Sequence, residues 1–477
     1  MIDIDIQNAL FELTRSIGMT IVDMKPIAES GSSRRYYRIF IPESTLIGAY
    51  NANTEENESF FYLTEHFGKK GLPVPRLLGV NSSRDCYLQT DHGDITLFHL
   101  LQQSLQSGSY DSTAIEMLGK VLDQLVRFQL EGHQGLDYRQ VYPVPCFDKG
   151  AILDDLDYFK YYFVKPHAGI VFNESRLKVE FDRFADFVGQ AQSDFFMYRD
   201  FQSRNIMLDH GVPFFIDYQG GRKGPLQYDV VSLLYQVKAQ IPQSTRDVLV
   251  EHYKQTLAKY LDPETIAFDR YYPFFVYLRL LQVLGAYGFR GLIQKKSHFL
   301  ESIPYALKEL QAWSDRFPLN DYPELQGVIR QVADLPMFSQ RSSSSQLTVT
   351  INSFSFKKGY PDDFSGNGGG FVFDCRALPN PGREPQFKTK TGRDWEVEEY
   401  LIKKPQTHVF LEHVKSLVGQ SIDNYLERHF NHLMVSFGCT GGQHRSVFFA
   451  QSIADWIRKT YPSVIVKLNH IEQHIHE

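Results

Sequence analysis

Three mid-chain residues have the types and spacing that phosphoryl transfer from ATP requires. Asp200 lies in the stretch Tyr198-Arg199-Asp200-Phe201-Gln202-Ser203-Arg204-Asn205. Asn205 follows it by five residues, and Asp217 ends the apolar run Val212-Pro213-Phe214-Phe215-Ile216. Such a transfer needs a carboxylate beside the acceptor hydroxyl, and an amide oxygen and a second carboxylate that hold magnesium between the phosphates. Asp200 fits the base, and Asn205 and Asp217 fit the metal ligands. Magnesium takes oxygen ligands and keeps several waters, so one Asn and one Asp suffice. An ordinary polar loop between two strands would use the same residue types, because Asp and Asn are common in turns. The elements around the triad must therefore separate the two readings.

Those elements suggest two lobes. Residues 1–95 read as short strands and turns around one helix, Glu55 to Phe67, with helical spacing of Phe60, Leu63, His66 and Phe67 and stop signals at Gly68 and Gly71. Residues 96–333 read as helical apart from a hairpin carrying Asp200 to Asp217. A small β-rich lobe ahead of a larger helical one, with metal ligands on a mid-chain hairpin, is a kinase-like α+β arrangement. Residues 334–346, ending Arg341-Ser342-Ser343-Ser344-Ser345-Gln346, form a polar linker. Leu347-Thr348-Val349-Thr350-Ile351 then opens an α/β domain over 347–477.

Composition narrows the class. With 477 residues the chain can build two or three cores. Residues 347–477 carry 15 Lys+Arg against 14 Asp+Glu, and the first 346 carry 35 against 42. Neither part is basic enough to announce nucleic acid by charge. Cys86, Cys146, Cys375 and Cys439 are far apart and include no C-x-x-C pair, which argues against a disulfide framework or zinc site and for a reducing cytoplasm. The start, Met1-Ile2-Asp3-Ile4-Asp5, lacks the basic and apolar regions of a signal peptide. Tyr271 to Phe289 is apolar but interrupted by Arg279 and Gln282, which predicts a buried helix and no membrane span.

Residues about 20–320 resemble the aminoglycoside phosphotransferase and choline kinase superfamily. Within it they are most similar to the cell-wall sugar kinases that phosphorylate the anomeric hydroxyl of N-acetylmuramate and N-acetylglucosamine. Ser30-Gly31-Ser32-Ser33-Arg34-Arg35-Tyr36-Tyr37-Arg38 carries the resemblance to the phosphate-covering loop, Tyr198 to Asn205 to the catalytic loop, and Ile216-Asp217-Tyr218-Gln219-Gly220 to the metal-binding strand end. The resemblance implies ATP and Mg2+ as cofactors. It places Ser30, Gly31, Ser32, Ser33, Arg34 and Arg35 at the nucleotide and a small acceptor, an amino sugar or its N-acyl derivative, near Asp200. Gln227-Tyr228-Asp229 matches the helix start behind the site, where Asp229 fits an N-terminal cap. Two positions depart from the family. Tyr198 replaces the usual His, and a Tyr can pack there and donate one hydrogen bond. The third-strand lysine is missing from Leu46-Ile47-Gly48-Ala49-Tyr50, and Arg34 or Arg35 is expected to supply its charge. Without that lysine, Glu58 reads as a solvated helix residue, as do Glu55 and Glu56. The alternative is a nucleotide-binding pseudokinase that acts as a regulatory adapter.

Val435-Ser436-Phe437-Gly438-Cys439-Thr440-Gly441-Gly442-Gln443-His444-Arg445-Ser446-Val447 is a second motif. A strand runs into a glycine-rich turn and then a helix, an arrangement that points several N–H groups at one anion. Gly441, Gly442, Gln443, His444, Arg445 and Ser446 are the candidate phosphate-binding residues. Cys439 and Arg445 also have the spacing of a tyrosine-phosphatase loop, in which a thiolate attacks the phosphate. Packing of the glycines and of Cys439 is the third reading.

Residues 347–477 resemble the C-terminal domain of the RNase adapter RapZ, through Ile351 to Gly359, Phe373 to Pro381, Thr391-Gly392-Arg393-Asp394 and the Gly438–Val447 loop. This resemblance implies a domain that binds small regulatory RNA or protein partners and senses glucosamine-6-phosphate. No P-loop motif occurs, and the end Leu468 to Glu477 carries no basic tail. Phosphate contacts supply much of RNA affinity, so the expected ligand is the amino-sugar phosphate. The His residues of that end read as a mobile polar terminus.

Overall fold

A computed structural model describes residues 3–27, 34–106, 110–167, 169–335, 346–361, 363, 370–428 and 430–477, with the backbone alone at 297 and 298. The chain divides into two compact units: Met1–Ala286 with Tyr305–Asp334, and Tyr287–Pro304 with Leu335–Glu477. Residues 287–304, which the sequence assigns to the helical lobe over 96–333, group with the second unit. The long helix Phe268–Tyr287 gives way there to a π-turn over Gly288–Ile293, and Gly291 packs against Leu300. The linker residues 336–345 lie outside the described residues.

The first unit opens with a helix, Asp3–Ser16, that the sequence reading misses. Its apolar positions Ile6, Leu10 and Leu13 recur at helical spacing and are buried. They pack with β1 (Asp23–Pro26), β2 (Arg35–Ile41), β3 (Ser44–Tyr50), β4 (Leu77–Val80) and β5 (Cys86–Thr90), an antiparallel sheet in the order β1-β2-β3-β5-β4. The expected helix spans Thr54–Lys69, capped by the Asn53 side chain on the Glu56 N–H. A helical lobe follows. Between its helices, β6 (Phe195–Met197) pairs with β9 (Arg222–Gly224), and β7 (Ile206–Asp209) with β8 (Val212–Phe215). The β7–β8 hairpin and the loop before it carry the candidate triad. Helix Phe268–Tyr287 is largely buried, and no described helix is long and apolar enough to cross a membrane. This is a protein-kinase-like two-lobe fold.

The second unit is an α/β domain. Its strands are β10 (Thr348–Ser355), β11 (Gly370–Asp374), β12 (His432–Cys439), β13 (Ile465–His470) and β14 (Ile475–His476). They are ordered β11-β12-β10-β13-β14, parallel except for β13 with β14. Alternate residues Val349, Ile351, Val435, Phe437 and Leu468 turn to one face and share a core with Val418, Ile453 and Ile457 from the helices Pro405–Glu427 and Arg445–Thr460. β12 runs directly into the glycine-rich turn.

Candidate active site and the glycine-rich turn

Hydrogen bonds bring Asp200, Asn205 and Asp217 together. Asn205 Nδ2 donates to the Asp200 carbonyl (2.9 Å) and to Asp217 Oδ2 (3.1 Å). Both contacts use the side-chain amide nitrogen, so the side-chain oxygen Oδ1 of Asn205 is the atom available to a cation. Gln219 Nε2 donates to Asp217 Oδ1 (2.9 Å), and Gln202 Nε2 reaches Asp200 Oδ1 (3.4 Å). Asp217 is open to solvent on one side and surrounded by protein on the others. Lost hydration, then the facing Asp200 carboxylate, push its pKa upward, against Gln219, Arg34 and Arg204. Two carboxylates that repel each other beside an amide oxygen form a donor set suited to a hard divalent cation. Asp217 Oδ1 and Oδ2 and Asn205 Oδ1 would hold Mg2+, so the residues present fit the group.

The loop is shaped from behind. Arg199 and Asp217 adopt φ of 75° and 68°, a left-handed conformation costly for side-chain-bearing residues. Asp229 fixes the first of these: its carboxylate accepts the N–H groups of Tyr198 (2.7 Å) and Arg199 (3.0 Å). Asp229 therefore does not cap its own helix, Leu226–Leu234, whose N-cap is Pro225. It lies inside the first turn and braces the loop that carries Asp200. Burial raises its pKa to about 7, with the two backbone N–H groups pulling the other way. Tyr198 donates its hydroxyl to the Ile216 carbonyl (2.6 Å), which ties the loop carrying Asp200 to the segment carrying Asp217.

The missing lysine has a structural answer. Ala49 lies between Tyr36 and Tyr87 in the sheet register, and no cation reaches out from β3. Arg34, 3% exposed, instead sits before β2, and its Nη2 donates to Glu56 Oε1 at 2.9 Å. Burial alone would strip charge from Arg34, but Tyr87, Tyr36 and Glu56 more than offset that and keep it a cation. Glu56 also accepts from Asn51 (3.1 Å) and from Gln219 (3.3 Å), the residue that holds Asp217. This corrects the expectation of a solvated Glu56. Glu58 is the surface acid and pairs with Arg84, both about half exposed. Glu56 points inward because Ser59 and Thr64 dock the same helix on the metal strand, through the Gln219 carbonyl (3.0 Å) and the Tyr218 hydroxyl (2.6 Å). Arg35 begins β2 opposite Tyr50. Ser30, Gly31, Ser32 and Ser33 lie outside the described residues.

In the second unit the turn is held by its carbonyls. Thr440 O accepts Ser355 Oγ (2.8 Å), Gly442 O accepts Gln473 Nε2 (3.2 Å), Gln443 O accepts the Gly392 N–H (2.8 Å), and His444 O accepts the Phe448 N–H (3.0 Å). Among the described residues no acceptor meets the N–H groups of Gly441, Gly442 or Gln443. Two glycines are obligatory. Gly442 has φ of 68° and a Cβ there would meet Glu472, while a Cβ on Gly392 would lie 2.1 Å from the His444 carbonyl oxygen. The basic side chains of the motif face backbone: His444 Nε2 contacts Phe387 O (2.9 Å), and Arg445 Nη1 donates to Arg376 O (2.8 Å) and Leu378 O (3.0 Å). Arg445 Nε is buried without a partner. Cys439 is 3% exposed with its sulfur 3.2 Å from Ser446 Oγ, the setting of a packed thiol and not of a nucleophile open to phosphate.

Residues 23–263, half of the chain, match the phosphotransferase enzyme family. The chain belongs to this family. Residues 347–474 match the RapZ C-terminal domain. Among curated relatives, a nucleotide-binding protein of Albidiferax ferrireducens is 36% identical over 132 residues, 28% of this chain and 40% of the relative. Another, from Acidobacterium capsulatum, is 40% identical over 133 residues, 28% and 41% of the two chains. The chain thus covers about two fifths of the length of these relatives. Among solved structures, choline kinase of Cryptosporidium parvum is similar at TM-score 0.46 and 12% identity, covering 67% of this chain and 99% of that one. Plasmodium vivax ethanolamine kinase gives TM-score 0.44 and 12% identity, covering 63% and 83%.

Proposed function

We propose that the first unit transfers the γ-phosphoryl group of ATP to a hydroxyl of an amino sugar or N-acyl amino sugar, and that the second senses a phosphorylated amino sugar. The observation that carries the reading is the continuous chain Arg34–Glu56–Gln219–Asp217–Asn205–Asp200. It joins a buried cation, two metal-type oxygen donors and, through its main-chain carbonyl, Asp200 in one hydrogen-bonded set. Arg34 takes the place of the strand lysine on the nucleotide phosphates, held by Glu56. Mg2+, when bound, neutralises charge on the transferring group. Asp200 accepts the acceptor's hydroxyl proton, and Gln202 and the Asn205 contact to its carbonyl hold its position. Asp229 and Tyr198 keep the loop in its strained form before substrate arrives.

In the second unit the free N–H groups of Gly441, Gly442 and Gln443, just before the helix Arg445–Thr460, support binding of a phosphate. Arg445 adds positive charge from behind the turn. The test is ATP turnover by the full chain against a panel of amino sugars, wild type and Asp200→Asn. Turnover that depends on Asp200 supports the kinase. Magnesium-dependent ATP binding without turnover on any sugar would favour the adapter reading.

A further inference from the structure

Around the Tyr228 hydroxyl the first unit gathers three arginines whose N–H donors its acids there, Asp155, Asp200 and Asp229, do not all meet. Arg199, Arg222 and Arg279 arrive from the catalytic loop, from β9 and from the helix Phe268–Tyr287. Arg199 is satisfied: it makes two bonds to Asp155 (2.8 and 3.0 Å) and one to the Tyr228 hydroxyl (2.5 Å). That hydroxyl also faces Arg279 Nη1 at 3.4 Å. Among the described residues Arg279, 6% exposed, otherwise donates only to Gln282 Oε1 (3.0 Å). Arg222 donates through Nε and Nη2 to one carbonyl, Gly220 O (3.1 and 3.0 Å). Among the described residues, no carboxylate lies within 4.0 Å of Arg222 or Arg279. Arg222 Nη1 and Arg279 Nε and Nη2 have no protein partner there, and none is sealed from solvent. Burial and the neighbouring Arg199 charge depress the Arg222 pKa, against Tyr228, Asp200 and Asp155.

Packing alone explains this poorly. Arg279 Cζ lies 5.9 Å from the Tyr228 ring, and such a contact offsets only part of the cost of a buried cation. Guanidinium groups with unmet N–H donors match planar or tetrahedral oxyanions. Asp200 repels anions, so an acidic acceptor would be driven to lay its charge on the arginines and its hydroxyl on Asp200.

We propose that Arg222 and Arg279 bind an anionic group of the acceptor, a carboxylate or a phosphate, so that the enzyme prefers acidic sugars to neutral ones. This rests on the kinase reading of the first unit. The test uses the full chain with Mg-ATP and three sugars: N-acetylglucosamine, N-acetylmuramate, which adds a carboxylate, and N-acetylglucosamine-6-phosphate. One of the acids should exceed the neutral sugar in kcat/KM by about ten- to a hundredfold, the worth of a charge-assisted hydrogen bond. Which acid it is distinguishes carboxylate from phosphate. Arg222→Gln should bring the acid-to-neutral ratio toward one, and Arg222→Lys should keep part of it. A ratio unchanged by Arg222→Gln in protein with a normal unfolding midpoint overturns the proposal, as does preference for the neutral sugar. Calorimetric binding of the same sugars without ATP separates this from failure of the kinase reading. Absent turnover on all three sinks the kinase, whereas equal binding of acid and neutral sugars sinks the arginine site.

Discussion

The candidate catalytic hairpin and the glycine-rich turn both follow a strand, yet they present different atoms to a ligand, side chains in one and backbone in the other. In the hairpin the side chains of Asp200, Asn205 and Asp217 face one another, and left-handed backbone at Arg199 and Asp217 is tolerated to aim them. In the turn the carbonyls are tethered, the N–H groups are left over, and the left-handed position is a glycine, Gly442. The difference teaches where each site is vulnerable. A side-chain site can be disabled without disturbing the fold. A backbone site fails only when its path is displaced.

The largest effect expected from this comparison is in the hairpin. Asp200→Asn should lower turnover by ~10²–10⁴, the contribution of a positioned base, while removing one of two facing carboxylates leaves the unfolding midpoint unchanged or raised. Steady-state kinetics and a thermal melt check both halves of this statement. Full turnover in the variant would end the assignment of Asp200.

The two units should also respond to pH with opposite slopes. The Asp229 pKa is raised to about 7 in the folded state. Its contribution to stability is fully present below the unfolded carboxylate range near pH 4 and is lost as pH rises through 7, on the order of 4 kcal/mol at most. His470 is lowered to about 4 by burial and then by Arg393, against Glu477. Its contribution is present above about pH 6.5 and is lost as pH falls through 4, up to ~3 kcal/mol. Denaturant melts at pH 5 and pH 7.5, followed unit by unit, measure the slopes. Asp229→Asn and His470→Gln should each flatten one of them; a slope that survives its own variant shows that another group carries it.

A smaller effect is expected in the turn. Gly442→Ala places a side chain at φ of 68° against Glu472 and should cost about 1–3 kcal/mol in the second unit. It should also weaken binding of glucosamine-6-phosphate by that unit. Cys439→Ser should leave the binding intact. Equal loss in both variants would mean that a side chain, and not the backbone, makes the site.

The smallest effect contrasts two acids on one helix. Glu58→Ala breaks an exposed pair with Arg84 and should change stability by no more than about 0.5 kcal/mol. Glu56→Ala leaves the buried Arg34 without its acid and should cost about 1–3 kcal/mol and raise the KM for ATP. Similar values for the two would remove Arg34 from the nucleotide site.

Much of this was legible in residue order. The spacing of Asp200, Asn205 and Asp217, the helix after Asn53, the strand before the glycine-rich turn and the α/β character of 347–477 follow from local pattern, since hydrophobic period and turn chemistry act over a few residues. The helix Asp3–Ser16 was legible too, in the spacing of Ile6, Leu10 and Leu13, and went unread. Pairings between distant residues are of another kind. That Arg34 meets Glu56 while Glu58 meets Arg84, that Asp229 braces the loop across thirty-odd residues, and that Arg445 faces carbonyls were decided by packing alone. Two glutamates two positions apart look alike in sequence. Helix Thr54–Lys69 makes them different by turning one toward the metal strand and the other toward water, and only the tertiary fold sets that rotation.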